Sequence, residues 1–250
     1  MSDELLTRLR HFRSDYFPRH QQRFQDLVAQ GQHPKTLFIG CSDSRLVPYL
    51  LTGTGPGELF IVRNVGAFVP PYDGVKDDPP EGAKGAFPPE GGANPGAARR
   101  LAGLHGTTAA IEFAVLSLEV ERIVVCGHSH CGAIRACYEG APEEAVNLQA
   151  WLRLADEALL PVRACPEALR RTEQRAVVLQ LERLMGYPMV RRRVESGHLT
   201  LHGWHYVIED GEIHVFDAQK GGFLAAADSA HAGTGPYRQY VEHDGQVLCD

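Results

Sequence analysis

The sequence predicts an α/β fold: a mainly parallel central sheet flanked by helices and preceded by an N-terminal helical arm. Three observations carry that expectation. Short apolar runs bounded by turn residues recur at 36–40, 58–62 and 122–126, as buried parallel strands do. Segments with apolar residues at helical spacing lie between and after them, and such alternation implies a sheet covered by helices. The 250 residues, 44% of them hydrophobic, can bury one sizeable core, so a single domain over residues 1–250 is expected.

Along the chain, Leu5, Leu6, Leu9, Phe12, Phe17, Phe24, Leu27 and Val28 recur at helical spacing. They define a helical arm over residues 1–30, which Pro18 is expected to divide into two helices. The first strand, 36–40, lies between Pro34 and the Ser/Asp cluster after Cys41, and the second occupies 58–62. A stretch with almost no apolar periodicity, residues 70–98, lies within a Pro/Gly-rich insertion over residues 70–104. Alone it cannot bury enough surface to offset its ordering entropy, so it reads as a mobile loop. A helix is expected over 107–118, a third strand over 122–126, and a short helix over 133–138. Longer amphipathic helices follow at 147–160 and 167–185. Residues 199–208 and 212–216, split by Asp210-Gly211, read as a hairpin that adds antiparallel strands at a sheet edge. Residues 221–250 read as a C-terminal extension.

Composition excludes several classes of function. A net charge of −6 and a pI near 6.1 argue against a nucleic-acid partner. No apolar run approaches the ~20 residues of a membrane span. The start, Met1-Ser2-Asp3-Glu4, has neither the basic residues nor the apolar stretch of a secretory signal, so a cytoplasmic protein is expected. Structural disulfides are then not expected among Cys41, Cys126, Cys131, Cys137, Cys165 and Cys249. In a reducing compartment, spaced Cys and His point instead to metal binding or catalysis.

Two loops concentrate that chemistry, each after a buried strand, where ligands of open α/β sheets collect. The second reads Gly127-His128-Ser129-His130-Cys131-Gly132, and its spacing lets one tight turn bring an imidazole and a thiolate onto one ion. The first, Cys41-Ser42-Asp43-Ser44-Arg45, can add a third ligand, Cys41, from the neighbouring strand end. Three protein ligands with one open position is the pattern of a catalytic zinc site, and soft thiolates with imidazole suit zinc. Taken singly, a free Cys is usually a small buried hydrophobe, Asp43 an Asx-turn or helix cap, and Arg45 a solvated side chain. Together at adjacent strand ends they read as a site. An arginine that holds Asp43 keeps it ionised and fixed in direction.

Cys41-Ser42-Asp43-Ser44-Arg45, Pro56-Gly57-Glu58-Leu59-Phe60, Arg63-Asn64-Val65 and Gly127-His128-Ser129-His130-Cys131-Gly132 resemble the motifs of β-class carbonic anhydrases, plant-like branch. The similarity extends to Glu112 and to His202-Gly203-Trp204. The resemblance implies one Zn2+ per subunit on Cys41, His128 and Cys131, with Asp43 and Arg45 as the catalytic carboxylate–guanidinium pair. It places Gln32, reaching across a dimer interface, with Phe60, Val65, Phe113 and Gly132 around the substrate. It implies reversible hydration of carbon dioxide to bicarbonate by zinc-bound hydroxide, in a homodimer or a tetramer built from dimers. The sequence departs from the family in three places. Phe113 replaces a common tyrosine, Phe38 replaces a tryptophan of the branch with a non-catalytic bicarbonate pocket, and residues from about 74 to 103 are inserted. His130 is not a family ligand and reads as a loop histidine. Hydrolysis of carbonyl sulfide or carbon disulfide at the same site stays open, as does a non-catalytic zinc protein that binds partners through residues 70–98.

Overall fold

A computed structural model describes residues 3–72 and 106–228. Most of the Pro/Gly-rich insertion and of the C-terminal extension lies outside the described residues. Among the described residues, six strands form one sheet in the order β2-β1-β3-β4-β5-β6. They are β1 (Thr36–Cys41), β2 (Leu59–Asn64), β3 (Arg122–His128), β4 (Thr200–Val207), β5 (Glu212–Asp217) and β6 (Gly222–Ala225). The first four run parallel, with Gly40 of β1 level with Cys126 of β3. β5 and β6 are antiparallel.

The apolar runs of β1 and β3 are buried on both faces, which is why they read as continuous rather than alternating. Period-two alternation sends Leu37, Ile39, Ile123 and Val125 into one cluster and Phe38, Val124 and Cys126 into the other. The first cluster packs on α7 (Pro166–Met185) through Val177, Leu181 and Leu184. The second is covered by α5 (Gly132–Glu139) and α6 (Val146–Leu152) through Ile134 and Leu152. Each such side chain contributes about 1.5–3 kcal/mol by leaving water. α7 can approach closely because β3 and β4 present glycines to it. A Cβ on Gly127 would stand 2.7 Å from Val177 Cγ2, and one on Gly203 3.0 Å from Leu181 Cδ1.

Several expectations are corrected here. Pro18 does not divide the arm. A π-helical turn, Phe12–Tyr16, joins α1 (Glu4–His11) to α2 (Phe17–Gln30), and the Phe17 N–H donates to the Phe12 carbonyl. The wider turn leaves Pro18 in the first turn of α2, where a missing N–H is tolerated. β4 pairs in parallel with β3, so the antiparallel edge is β5 and β6, and β6 was not expected as a strand. The helix expected over 147–160 tightens into a 3-10 segment, Arg153–Ala158. α3 (Pro48–Thr52) and α8 (Pro188–Glu195) are additional, while α4 (Gly106–Glu112) and a π turn, Phe113–Ser117, cover the helix expected at 107–118. Cys165, half-exposed ahead of α7, is disulfide-bonded, against the expectation of reduced cysteines throughout.

Candidate active site

The chain leaves β1 toward β2 on one side and later enters β3 on the other, so a crevice opens at the carboxyl ends of β1 and β3. Cys41 closes β1 and His128 closes β3. Cys131 is the residue that caps the N-terminus of α5. The ligand atoms of these three buried residues all lie within 4.8 Å of one another.

The protein's own bonding aims His128. Its Nδ1 lies 2.8 Å from the Ser129 carbonyl, which can only accept, so Nδ1 carries the hydrogen and Nε2 the lone pair. Nε2 is buried and, among the described residues, has no hydrogen-bond partner. An orphaned buried nitrogen is costly unless something binds it, and a metal ion meets that need. The Cys41 thiol is pulled down to about 4, first by the hydrogen bond from Cys131, against burial, with further help from His128. Cys131 is correspondingly pushed up, first by Cys41 and then by burial. The two sulfurs share a proton whose place a soft divalent cation can take. Cys126, fully buried behind them, is held protonated by burial and is no ligand.

Asp43 and Arg45 form the second half of the site. Arg45 Nε donates to Asp43 Oδ1 at 2.9 Å, Nη2 to Oδ2 at 2.7 Å, and the Arg45 backbone N–H to Oδ1 at 3.0 Å. This fork holds the Asp43 carboxyl well below the usual carboxylate range, so it is ionised near neutrality. Oδ2 lies 3.9 Å from His128 Nε2, beside the ligand cluster. Arg45 Nη2 also donates to the His130 carbonyl at 3.1 Å and so ties the two loops together. The His130 ring faces outward to Glu209 at 3.2 Å, as its reading as a loop histidine requires.

The remaining expected residues divide into two groups. Phe60 and Phe113 meet with ring centroids 5.7 Å apart, and Val65 follows β2 directly. Val65 and Phe113 are 40% and 46% exposed in the single chain. Gly132 opens α5 next to Cys131, and a Cβ there would meet nothing within 4 Å. Gln32 is exposed between α2 and β1, and no hydrogen bond joins it to the cluster among the described residues.

Arg63 belongs to one of the motifs, and its task becomes visible only in the fold. Its Nε donates to the Cys41 carbonyl at 3.0 Å and its Nη2 to the Asp43 carbonyl at 2.6 Å, fixing the first loop. Glu173 and His205, which stand behind Cys131, were missed altogether. One signal existed: Glu173 lies on the helix face that continues through Val177, Leu181 and Leu184, an acid in an apolar row.

Comparison with known proteins gives a consistent picture. The family profile described as carbonic anhydrase matches residues 36–213. The carbonic anhydrase of Pseudomonas aeruginosa is 38% identical over 231 residues, 87% of this chain and 88% of that protein. Carbonic anhydrase 1 of Escherichia coli O157:H7 is 36% identical over 246 residues, 94% of this chain and 97% of that protein. Among solved structures, the β-carbonic anhydrase CcaA superposes with a TM-score of 0.75 at 33% identity, covering 92% of this chain and 93% of that one. A tetrameric β-carbonic anhydrase of Sordaria macrospora gives 0.64 at 27% identity, covering 84% and 94%.

Proposed function

Because this chain belongs to the β-class carbonic anhydrases, we propose that Cys41, His128 and Cys131 hold a zinc ion and that Asp43 and Arg45 steer the hydration of carbon dioxide beside it. One juxtaposition carries this reading: the unpartnered Nε2 of His128 faces two sulfurs on one side and the Arg45-held Oδ2 of Asp43 on another. Zinc, when bound, supplies a Lewis acid that lowers the pKa of a coordinated water from ~15.7 toward ~7.

The chain's own residues set the geometry of the reaction. Asp43 is ionised, so its Oδ2 can only accept, and a reacting hydroxyl that donates to it turns its lone pair away from Asp43. Arg45 prevents rotation of that carboxylate by holding both oxygens. Phe60, Val65 and Phe113 offer an apolar wall that suits linear, uncharged carbon dioxide. Gln32, contributed by a second subunit, donates to a bicarbonate oxygen. Gly132 keeps the mouth open for exchange.

The test is elemental analysis together with stopped-flow hydration on the same preparation. We expect one zinc per chain, its loss together with activity in Cys131→Ala, and zinc retained with little activity in Asp43→Ala. A zinc-loaded protein that hydrates carbon dioxide no faster than buffer would overturn the reaction. Full zinc in Cys131→Ala would overturn the ligand set.

A further inference from the structure

We propose that Glu173 is a positioning residue for the metal centre, holding the Cys131 backbone so that its sulfur faces Cys41 and His128. The proposal rests on the zinc reading above and adds to it a residue from α7. The two carboxyl oxygens of Glu173 point to different elements. Oε1 accepts the Cys131 backbone N–H at 3.0 Å, and Oε2 lies 3.3 Å from His205 Nε2 on β4. The side chain thereby bridges β4 to the ligand loop.

Packing alone does not explain this residue. Glu173 is 4% and His205 1% exposed, and burying a carboxyl group is costly unless bonding compensates. An aliphatic side chain would continue the row of Val177, Leu181 and Leu184 at no such cost. The cost extends further, because His205 Nδ1 is buried without a hydrogen-bond partner among the described residues. An imidazole left half-satisfied in this way secures the outer edge of the carboxylate.

The ligand loop needs such an anchor. His130 holds φ +56, a left-handed conformation that disfavours a non-glycine residue and persists only where neighbours enforce it. Each loop residue is tied to a different element. Ser129 N–H donates to the Tyr206 carbonyl at 2.9 Å, Ser129 Oγ donates to Glu209 at 2.6 Å, and the His130 carbonyl accepts from Arg45. At Cys131, the ligand itself, the anchor is Glu173. Its reach depends on Gly127, where the absent Cβ lets α7 come down onto the end of β3. Glu173 and Cys131 also form the wall between the metal cluster and a cleft of about 670 Å3 bounded by α7 and the β4–β5 turn.

The test is metal affinity by chelator competition, with the absorption spectrum of the cobalt(II)-substituted protein as a readout of ligand geometry. The chain itself should bind one cobalt ion with thiolate charge-transfer bands. Glu173→Leu should bind roughly 10–100-fold more weakly and show altered bands, the range found when outer-sphere partners of metal ligands are removed. Glu173→Gln keeps an acceptor at Oε1 and should restore both affinity and spectrum. If Glu173→Leu does not fold, Glu173→Asp decides, since the shorter side chain withdraws the carboxylate but keeps its charge; about tenfold weaker binding is expected. Parental affinity and spectrum in the folded Leu or Asp variant would overturn the positioning role while leaving the zinc reading intact. Failure of the unmodified chain to bind cobalt or zinc would overturn both.

Discussion

At the scale of single residues, the site is a competition between charges that proximity to Arg45 decides. Asp43 stands beside the Cys41 and Cys131 sulfurs, the first already held as a thiolate near neutrality, and the side-chain and backbone contacts from Arg45 keep its carboxylate fixed. The folded pKa of Asp43 is depressed below the ordinary ~3.9. Its pairing therefore contributes fully above that value and is lost only as pH falls through the folded value, in strong acid. Arg45→Ala should accordingly cost roughly 10–100-fold in kcat/KM by freeing the carboxylate, not by protonating it. The deficit should be constant between pH 6 and 9 in zinc-loaded enzyme; one that widens toward pH 6 would show protonation instead. The Cys41, His128 and Cys131 cluster and the Asp43–Arg45 pair were legible because they sit in two short, dense motifs. Arg63, Glu173 and His205 were not, because their tasks exist only after folding. Glu173 lies 42 residues from the Cys131 N–H it accepts, and nothing local in either segment announces the contact.

At the scale of elements, strands read well and their partners read poorly. The runs ending at Cys41 and Cys126 are apolar on both faces, and their shortness and flanking turn residues mark them as strands of a covered parallel sheet. The stretch 199–208 shows the limit: its turn at Asp210-Gly211 announced a hairpin with β5, but parallel pairing with β3 leaves no local trace. β4 also carries a titrating residue. His202 is 9% exposed, and its pKa is lowered to about 4, first by burial and then by the charge of Arg122. Its Nε2 lies 2.8 Å from Thr200 Oγ1. The unfolded chain takes up this proton near pH 6.5 while the fold resists it, so stability is complete above ~6.5 and declines toward the folded value. Chemical unfolding at pH 7.5 and pH 5 should show a loss of about 2 kcal/mol from this group. A His202→Leu variant with the same pH slope as the parent would refute the assignment.

At the scale of the whole molecule, the described residues leave apolar surface uncovered along the arm and near the site. Leu5, Leu6, Leu9, Phe12 and Tyr16 are all exposed along the arm, and Val65, Phe113 and Leu116 are exposed near the site. The arm touches its own chain at its far end, where Arg23 Nε donates to the Pro56 carbonyl and Leu27 lies over Gly57. α1 therefore projects with no buried residue. Covering each of its large side chains would contribute on the order of 1.5–3 kcal/mol before the costs of association, which favours a second copy as the cover. Gln32 points to the same assembly, since nothing joins it to the cluster of its own chain among the described residues. We therefore expect a dimer or a larger even assembly, with Gln32 of one subunit serving the site of the other. Light scattering should give at least twice the 27.5 kDa chain mass. The double variant Leu6→Asp, Leu9→Asp should shift toward monomer and lose activity in proportion, while retaining zinc, because the proposed metal ligands lie within one chain. A fully active, monodisperse monomer of the unmodified chain would sink the assignment of Gln32 and of the arm together.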